Sequence, residues 1–227
     1  MKRIFALMLF TSLAIGLHAQ RISAYINSGL MGAQIEGDEL KGFDHWNYTG
    51  GVGAFAKLTE DGTWGLAIET DYSCRGAFNN KLNTSNPYNI KLDLYYVDIP
   101  ITLLYRDPYG GLQLGAGLVY GRMVAQPHGR VRFNPNFFAP DSSDMSFLKN
   151  DLAAAIEFRF SVWSNLKASI RYQYSIIPIK RDWTFYDKND SWTRDCYNSA
   201  LSFRLLWQFG EDDNKSYYSK NKKKKRR

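Results

Sequence analysis

The chain has 227 residues, 44% of them hydrophobic and 15% aromatic, with 29 lysines and arginines against 22 aspartates and glutamates for a formal charge of +7. The sign is set by the ends: ten of the positive charges lie in the first twenty and last fourteen residues, which hold no acid, so residues 21–213 carry 19 positives against 22 negatives, a net of −3. Such a body excludes a nucleic-acid partner, whose phosphates need a clustered positive face, and its aromatic and β-branched content excludes disorder. The length suits one domain with a sizeable core.

Residues 1–19 read as a secretory signal peptide. Lys2 and Arg3 precede an apolar run from Ile4 to Leu17, and Leu17-His18-Ala19 before Gln20 reads as a cleavage site. The run is too short for a membrane helix, which needs about twenty apolar residues. The residue directly after the cleavage point is Gln20 and not a cysteine, which argues against an acylated amino terminus. Export exposes Cys74 and Cys196 to oxidising conditions.

The mature body, 20–210, reads at period two. A weak first strand spans Ile22 to Met31. The alternation is then clear in Trp46, Tyr48, Val52, Ala54, Ala56 and Leu58, and in Trp64, Leu66, Ile68 and Tyr72. It recurs in the runs Tyr95 to Tyr105, Leu112 to Tyr120, Leu152 to Phe160, Leu166 to Tyr174 and Leu201 to Phe209. Each run has one apolar face, so eight strands are expected. Helical periodicity is nowhere sustained.

Connection lengths alternate. Residues 59–63, 106–110 and 161–165 are short turns, whereas 32–45, 76–92, 123–150 and 176–196 read as long polar connections. Short turns at one end and long loops at the other predict an all-β, eight-stranded antiparallel transmembrane barrel of the outer-membrane type, in contact with outer-membrane lipid. A soluble sandwich would also alternate, but the loop pattern and the leader disfavour it. The apolar faces often end in aromatics, as interface girdles do.

The opposite face carries Glu69, Asp71, Asp98, Arg106, Glu157, Arg159, Lys167, Arg171 and Arg204. In an eight-stranded barrel these point inward, into a lumen that side chains fill, so the charges are expected to pair there without leaving a pore. Gly115 and Gly117 fit as small groups inside a narrow barrel, and Pro100, which lacks a ladder donor, is expected to mark a bulge or bend.

The run Leu94-Tyr95-Tyr96-Val97-Asp98-Ile99-Pro100-Ile101-Thr102-Leu103-Leu104-Tyr105 resembles the "YLEIPLLLKY" strand of the PorT-like outer-membrane barrels of Bacteroidota, and is followed as there by a short turn and a glycine-rich strand, Leu114-Gly115-Ala116-Gly117. The founding member of that family is a component required for type IX secretion. The resemblance therefore implies a non-enzymatic role in protein secretion or envelope assembly, with other envelope proteins of the secretion system as partners. It carries no catalytic residues over.

Two other classes compete. One is a binding or adhesion barrel working through its external loops. The other is a lipid-modifying enzyme, for which His128 with Asp141, Ser142, Ser143 and Asp144 of the same long loop would be the candidates, His45 and His128 both being expected in external loops. No His/Cys/Asp group has metal-ligand spacing and no phosphate loop is present, so neither cofactor nor metal is expected. Cys74 and Cys196 both fall at the outer rim and could form a disulfide if the loops cross the mouth. The tail, 211–227, ends in Lys222, Lys223, Lys224, Lys225, Arg226 and Arg227. It reads as a solvated charge run or as a periplasmic handle for an acidic partner.

Overall fold

A chain that crosses hydrocarbon must satisfy every backbone N–H and C=O within itself, and strands do so only when their sheet has no free edge. The computed structural model describes residues 22–38, 42–79, 88–107, 111–133, 139–140, 146–186 and 191–209, and no helix occurs among them. The strands are β1 (Ile22–Glu36), β2 (His45–Lys57), β3 (Trp64–Asn79), β4 (Tyr88–Arg106), β5 (Gln113–Met123), β6 (His128–Phe133), β7 (Ala139–Pro140), β8 (Asn150–Ser161), β9 (Leu166–Ser175), β10 (Lys180–Tyr186) and β11 (Ser191–Gln208).

Eight of them form the wall in the order β1-β2-β3-β4-β5-β8-β9-β11. The last pairs back on the first, antiparallel, from Tyr25↔Gln208 to Glu36↔Tyr197. That ladder removes both edges and closes the barrel. The β2–β3 turn shows how local chemistry fixes the short connections. Gly62 supplies a φ of 74°, its N–H donates to the Thr59 carbonyl at 3.0 Å, and the Asp61 carboxylate accepts from the Thr63 N–H at 3.0 Å and the Thr63 hydroxyl at 2.6 Å. Hydrogen bonds from the Thr59 side chain and from Thr63 hold the Asp61 carboxyl down, at about 2.

The outer surface of the wall is apolar. Ile26, Leu30, Val52, Ile68, Ile101, Leu103, Leu118, Ile156, Phe203 and Leu205 all point out and lie exposed, an area no water-soluble monomer leaves bare. Aromatics bound this band. Trp64 and Tyr105 meet edge to face at 5.3 Å at the short-turn end, and Tyr72–Tyr95 and Tyr174–Tyr197 stack at 6.3 and 6.1 Å at the other.

Several stretches expected as long loops are strand. β1 runs on to Glu36, and β3 and β4 continue past the band, where β6 joins β4 from Tyr88↔Phe133 to Asp93↔His128. β11 begins at Ser191, and β10 lies along its first residues. Two parts of the wall therefore rise past the apolar band. Pro100 makes no bulge. Pairing with β3 lapses between Ile101↔Ile68 and Asp98↔Asp71 and resumes in the same register, while Pro100↔Val119 is kept on the β5 side. The ladder with β3 skips the two pairs at Pro100 and Ile99, and neither ladder gains a residue.

Candidate functional site

All nine charges expected on the inner face are buried. Six make one network across the lumen. Glu69 and Asp71 come from β3, Glu157 and Arg159 from β8, Arg171 from β9 and Arg204 from β11, so the network spans opposite sides of the wall. Arg204 Nη1 lies 2.7 Å from Glu69 Oε2 and its Nη2 2.6 Å from Glu157 Oε1. Arg171 Nη2 bridges Glu69 at 2.9 Å and Glu157 at 2.8 Å. Arg159 Nε reaches Glu157 Oε1 at 2.7 Å while its Nη2 donates to Glu69.

Neutral groups complete the set. The Tyr25 hydroxyl donates to Glu69 Oε1 at 2.7 Å and Asn27 Nδ2 to Asp71 Oδ1 at 2.8 Å. Three guanidinium groups thus face three carboxylates with many mutual hydrogen bonds, the condition under which buried charges recover their desolvation cost. Gly53 makes room for this, since a Cβ there would lie 2.5 Å from the Tyr25 ring. Gly115, facing the lumen as expected, would bring a Cβ to 2.7 Å from both Leu104 and Thr102.

A second tier stands one step toward the long-loop end. Asp98 belongs to it, with Arg75 and Asp151, which the alternation did not single out. Arg75 Nη1 lies 2.6 Å from Asp151 Oδ2, its Nη2 pairs with Asp98, and its guanidinium sits 4.7 Å from the Tyr96 ring centre. Ser73 donates to Asp98 Oδ2 at 2.7 Å. Both missed residues continue the inward phase of β3 and β8, and that phase was the available signal. Of the remaining expected charges, Lys167 lies 5.6 Å from the Phe55 ring beside a floor of Tyr25, Phe55, Ala67, Leu104 and Leu206, and Arg106 is buried near the end of β4.

Above the second tier the lumen turns apolar. Ile35, Ala77, Leu92, Leu94, Tyr96, Met123, Ile179, Trp183 and Cys196 form one buried cluster, with Phe147 and Trp192 against it. Apolar floor, ion-pair network, Arg75 tier and apolar cap follow one another along the barrel axis.

The other candidates fall differently. His45 is not in a loop but opens β2, buried, with Nε2 2.7 Å from Asp93 Oδ1. His128 likewise opens a strand, β6, and is exposed. Asp141, Ser142, Ser143 and Asp144 lie outside the described residues, as do the leader and the basic tail Lys222–Arg227. Cys74 and Cys196 are free thiols, so the disulfide considered above is absent. Each is buried in its own surroundings, Cys74 beside His45 and Asp93 and Cys196 inside the apolar cluster. Cys196 lies within β11 and not ahead of the last strand.

Among solved structures, the chain is similar to Ail, the attachment invasion locus protein of Yersinia pestis, at 15% identity over 82% of this chain and 98% of that one, with a TM-score of 0.45. It is similar to Neisserial surface protein A at 13% identity over 83% and 99%, TM-score 0.43, and to a major outer membrane protein of Thermus thermophilus at 11% identity over 85% and 100%, TM-score 0.42. No curated protein sequence matches the chain. The family model for the outer membrane protein beta-barrel domain matches residues 4–209. With a closed eight-stranded antiparallel wall, an apolar outer band and a polar lumen, the chain belongs to the outer membrane protein beta-barrel domain family and is an outer-membrane protein.

Proposed function

We propose that the protein is a non-conducting, non-enzymatic component of an outer-membrane secretion or envelope assembly, of the PorT-like class found in type IX secretion. The observation that carries this reading is the filled lumen. Glu69, Asp71, Glu157, Arg159, Arg171 and Arg204 engage one another across the barrel, which supports a structural use of the charges over transport or catalysis. The strand Leu94–Tyr105 adds the family resemblance, and secretion-system envelope proteins are its proposed partners. In this reading the basic tail, Lys222 to Arg227, is the periplasmic contact for an acidic partner, screened over about 8 Å at physiological salt.

The test is a deletion strain complemented with the wild-type gene and assayed for extracellular proteins at matched envelope composition. Loss of several secreted proteins, restored on complementation, is expected. Unchanged secretion would overturn the proposal.

A second reading, surface binding through the long-loop end, draws on the wall that rises past the apolar band, where β6 extends β4 and β10 extends β11. A strain that secretes normally but loses capture of a surface ligand would favour it.

A further inference from the structure

Three adjacent strands bring a histidine, a cysteine and an aspartate together toward the long-loop end of the barrel, beyond the last ladder pair of β2 on β3. His45 opens β2, Cys74 lies on β3 and Asp93 on β4, and the three are 5%, 3% and 8% exposed. A nitrogen of His45, the sulfur of Cys74 and a carboxylate oxygen of Asp93 all lie within 4.8 Å of one another. His45 Nε2 already meets Asp93 Oδ1 at 2.7 Å, and His45 Nδ1 is buried with no hydrogen-bond partner.

The local backbone makes this meeting possible. The ladder of β2 on β3 ends at Thr49↔Ser73, so the start of β2 is released from its neighbour. At the position paired with Asp93, β3 carries Gly76, at a φ of 144°. A Cβ there would come within 1.8 Å of the Leu92 carbonyl oxygen. Gly76 thus lets β3 and β4 approach closely beside Asp93.

A buried histidine–aspartate hydrogen bond with a thiol nearby could be no more than packing. That account leaves the buried Nδ1 unexplained, and it leaves a soft sulfur, an imidazole and a carboxylate converging on one point, the donor set that suits zinc. Zinc takes such ligands at about 2.0–2.3 Å, so binding one ion asks these three atoms to draw together from separations already within 4.8 Å.

We propose that His45, Cys74 and Asp93 bind a divalent cation of the zinc class, with water as the fourth ligand. On binding, Cys74 gives its thiol proton to solvent and coordinates as the thiolate. Neutral His45 binds through one ring nitrogen and keeps its proton on the other, and Asp93 binds as the carboxylate. The ion ties β2, β3 and β4 together just where the β2–β3 ladder has ended.

The test uses the full mature chain, folded in detergent, reduced and free of any histidine tag, titrated with cobalt(II) as a spectroscopic substitute. One equivalent is expected to raise a thiolate-to-cobalt charge-transfer band, and zinc(II) is expected to abolish it by displacement. Cys74→Ser should lose the band, and Cys196→Ser should keep it. His45→Gln and Asp93→Asn, which retain the thiol, should each weaken cobalt binding by about tenfold or more. These two carry the test if Cys74→Ser does not fold. No band, a band that survives Cys74→Ser, or unchanged affinity in both retained-thiol variants would overturn the proposal.

Discussion

The lower and upper halves of the lumen solve opposite problems. Inside the apolar band the outer face belongs to hydrocarbon, so the inner face takes the polar groups, and the crossing network of Glu69, Asp71, Glu157, Arg159, Arg171 and Arg204 results. Past the aromatic girdle the outer face meets water and the rule inverts. There β4 turns inward Leu92, Leu94 and Tyr96, which pack with Ile179 and Trp183 as in a soluble core. The chain thus changes solvent partway along the strands that rise past the band, and the meaning of its alternation changes with it.

Breaking the lower half has the larger effect. Glu157 is 0% exposed and serves Arg159, Arg171 and Arg204. Glu157→Ala strands those cations and is expected to cost about 3–5 kcal/mol, read as a lowered urea midpoint by tryptophan fluorescence in lipid vesicles and as loss of heat-modifiable mobility on gels. A wild-type midpoint would mean that water, and not the carboxylate, satisfies the arginines.

In the upper half, Leu94→Ala leaves a cavity in the apolar cluster, and about 3 kcal/mol is expected. The loss should stay local. Hydrogen exchange should quicken in β10 and the first part of β11 while amides of β5 and β8 inside the band keep their protection. Uniform acceleration would show the two halves to be a single cooperative unit.

The smallest effect lies outside both halves, in the β2–β3 turn. The Asp61 carboxyl sits at about 2 against an ordinary value of 3.8, because Thr59 and Thr63 hydrogen-bond to its charged form. A carboxyl depressed on folding contributes stability that is present above about pH 4 and lost as pH falls toward 2. Asp61→Asn should therefore lower stability slightly at neutral pH and converge with the wild type as pH falls toward 2, which flattens the acid limb in that window. An identical acid limb in the variant would remove the turn from the account.

The inversion also explains what could be read from sequence. Where one face is Trp64, Leu66, Ile68 and Tyr72 and the other Glu69 and Asp71, strand, register and inward charge follow from composition alone. Past the girdle, the sequence of 88–92, 128–133, 180–186 and 191–196 shows no sustained apolar alternation, so these stretches read as polar loops although they are strand. Arg75 and Asp151 were in phase but beyond the last clear outward apolar residue, which is where the pattern stops announcing itself. Pro100 shows a different limit: a missing donor is visible in sequence, but whether the ladder skips a contact or inserts a residue depends on both neighbours. His45, Cys74 and Asp93 stand on three strands, so no ligand spacing along the chain could reveal them.

The central claim is that side chains close the barrel along its axis. Single-channel recording of the purified protein in planar bilayers tests it most directly. The apolar floor around Phe55 and Leu206, the crossing ion pairs and the apolar cap predict no stable conductance at any salt concentration that leaves the barrel folded. Reproducible single-channel steps from the folded wild-type protein would contradict it.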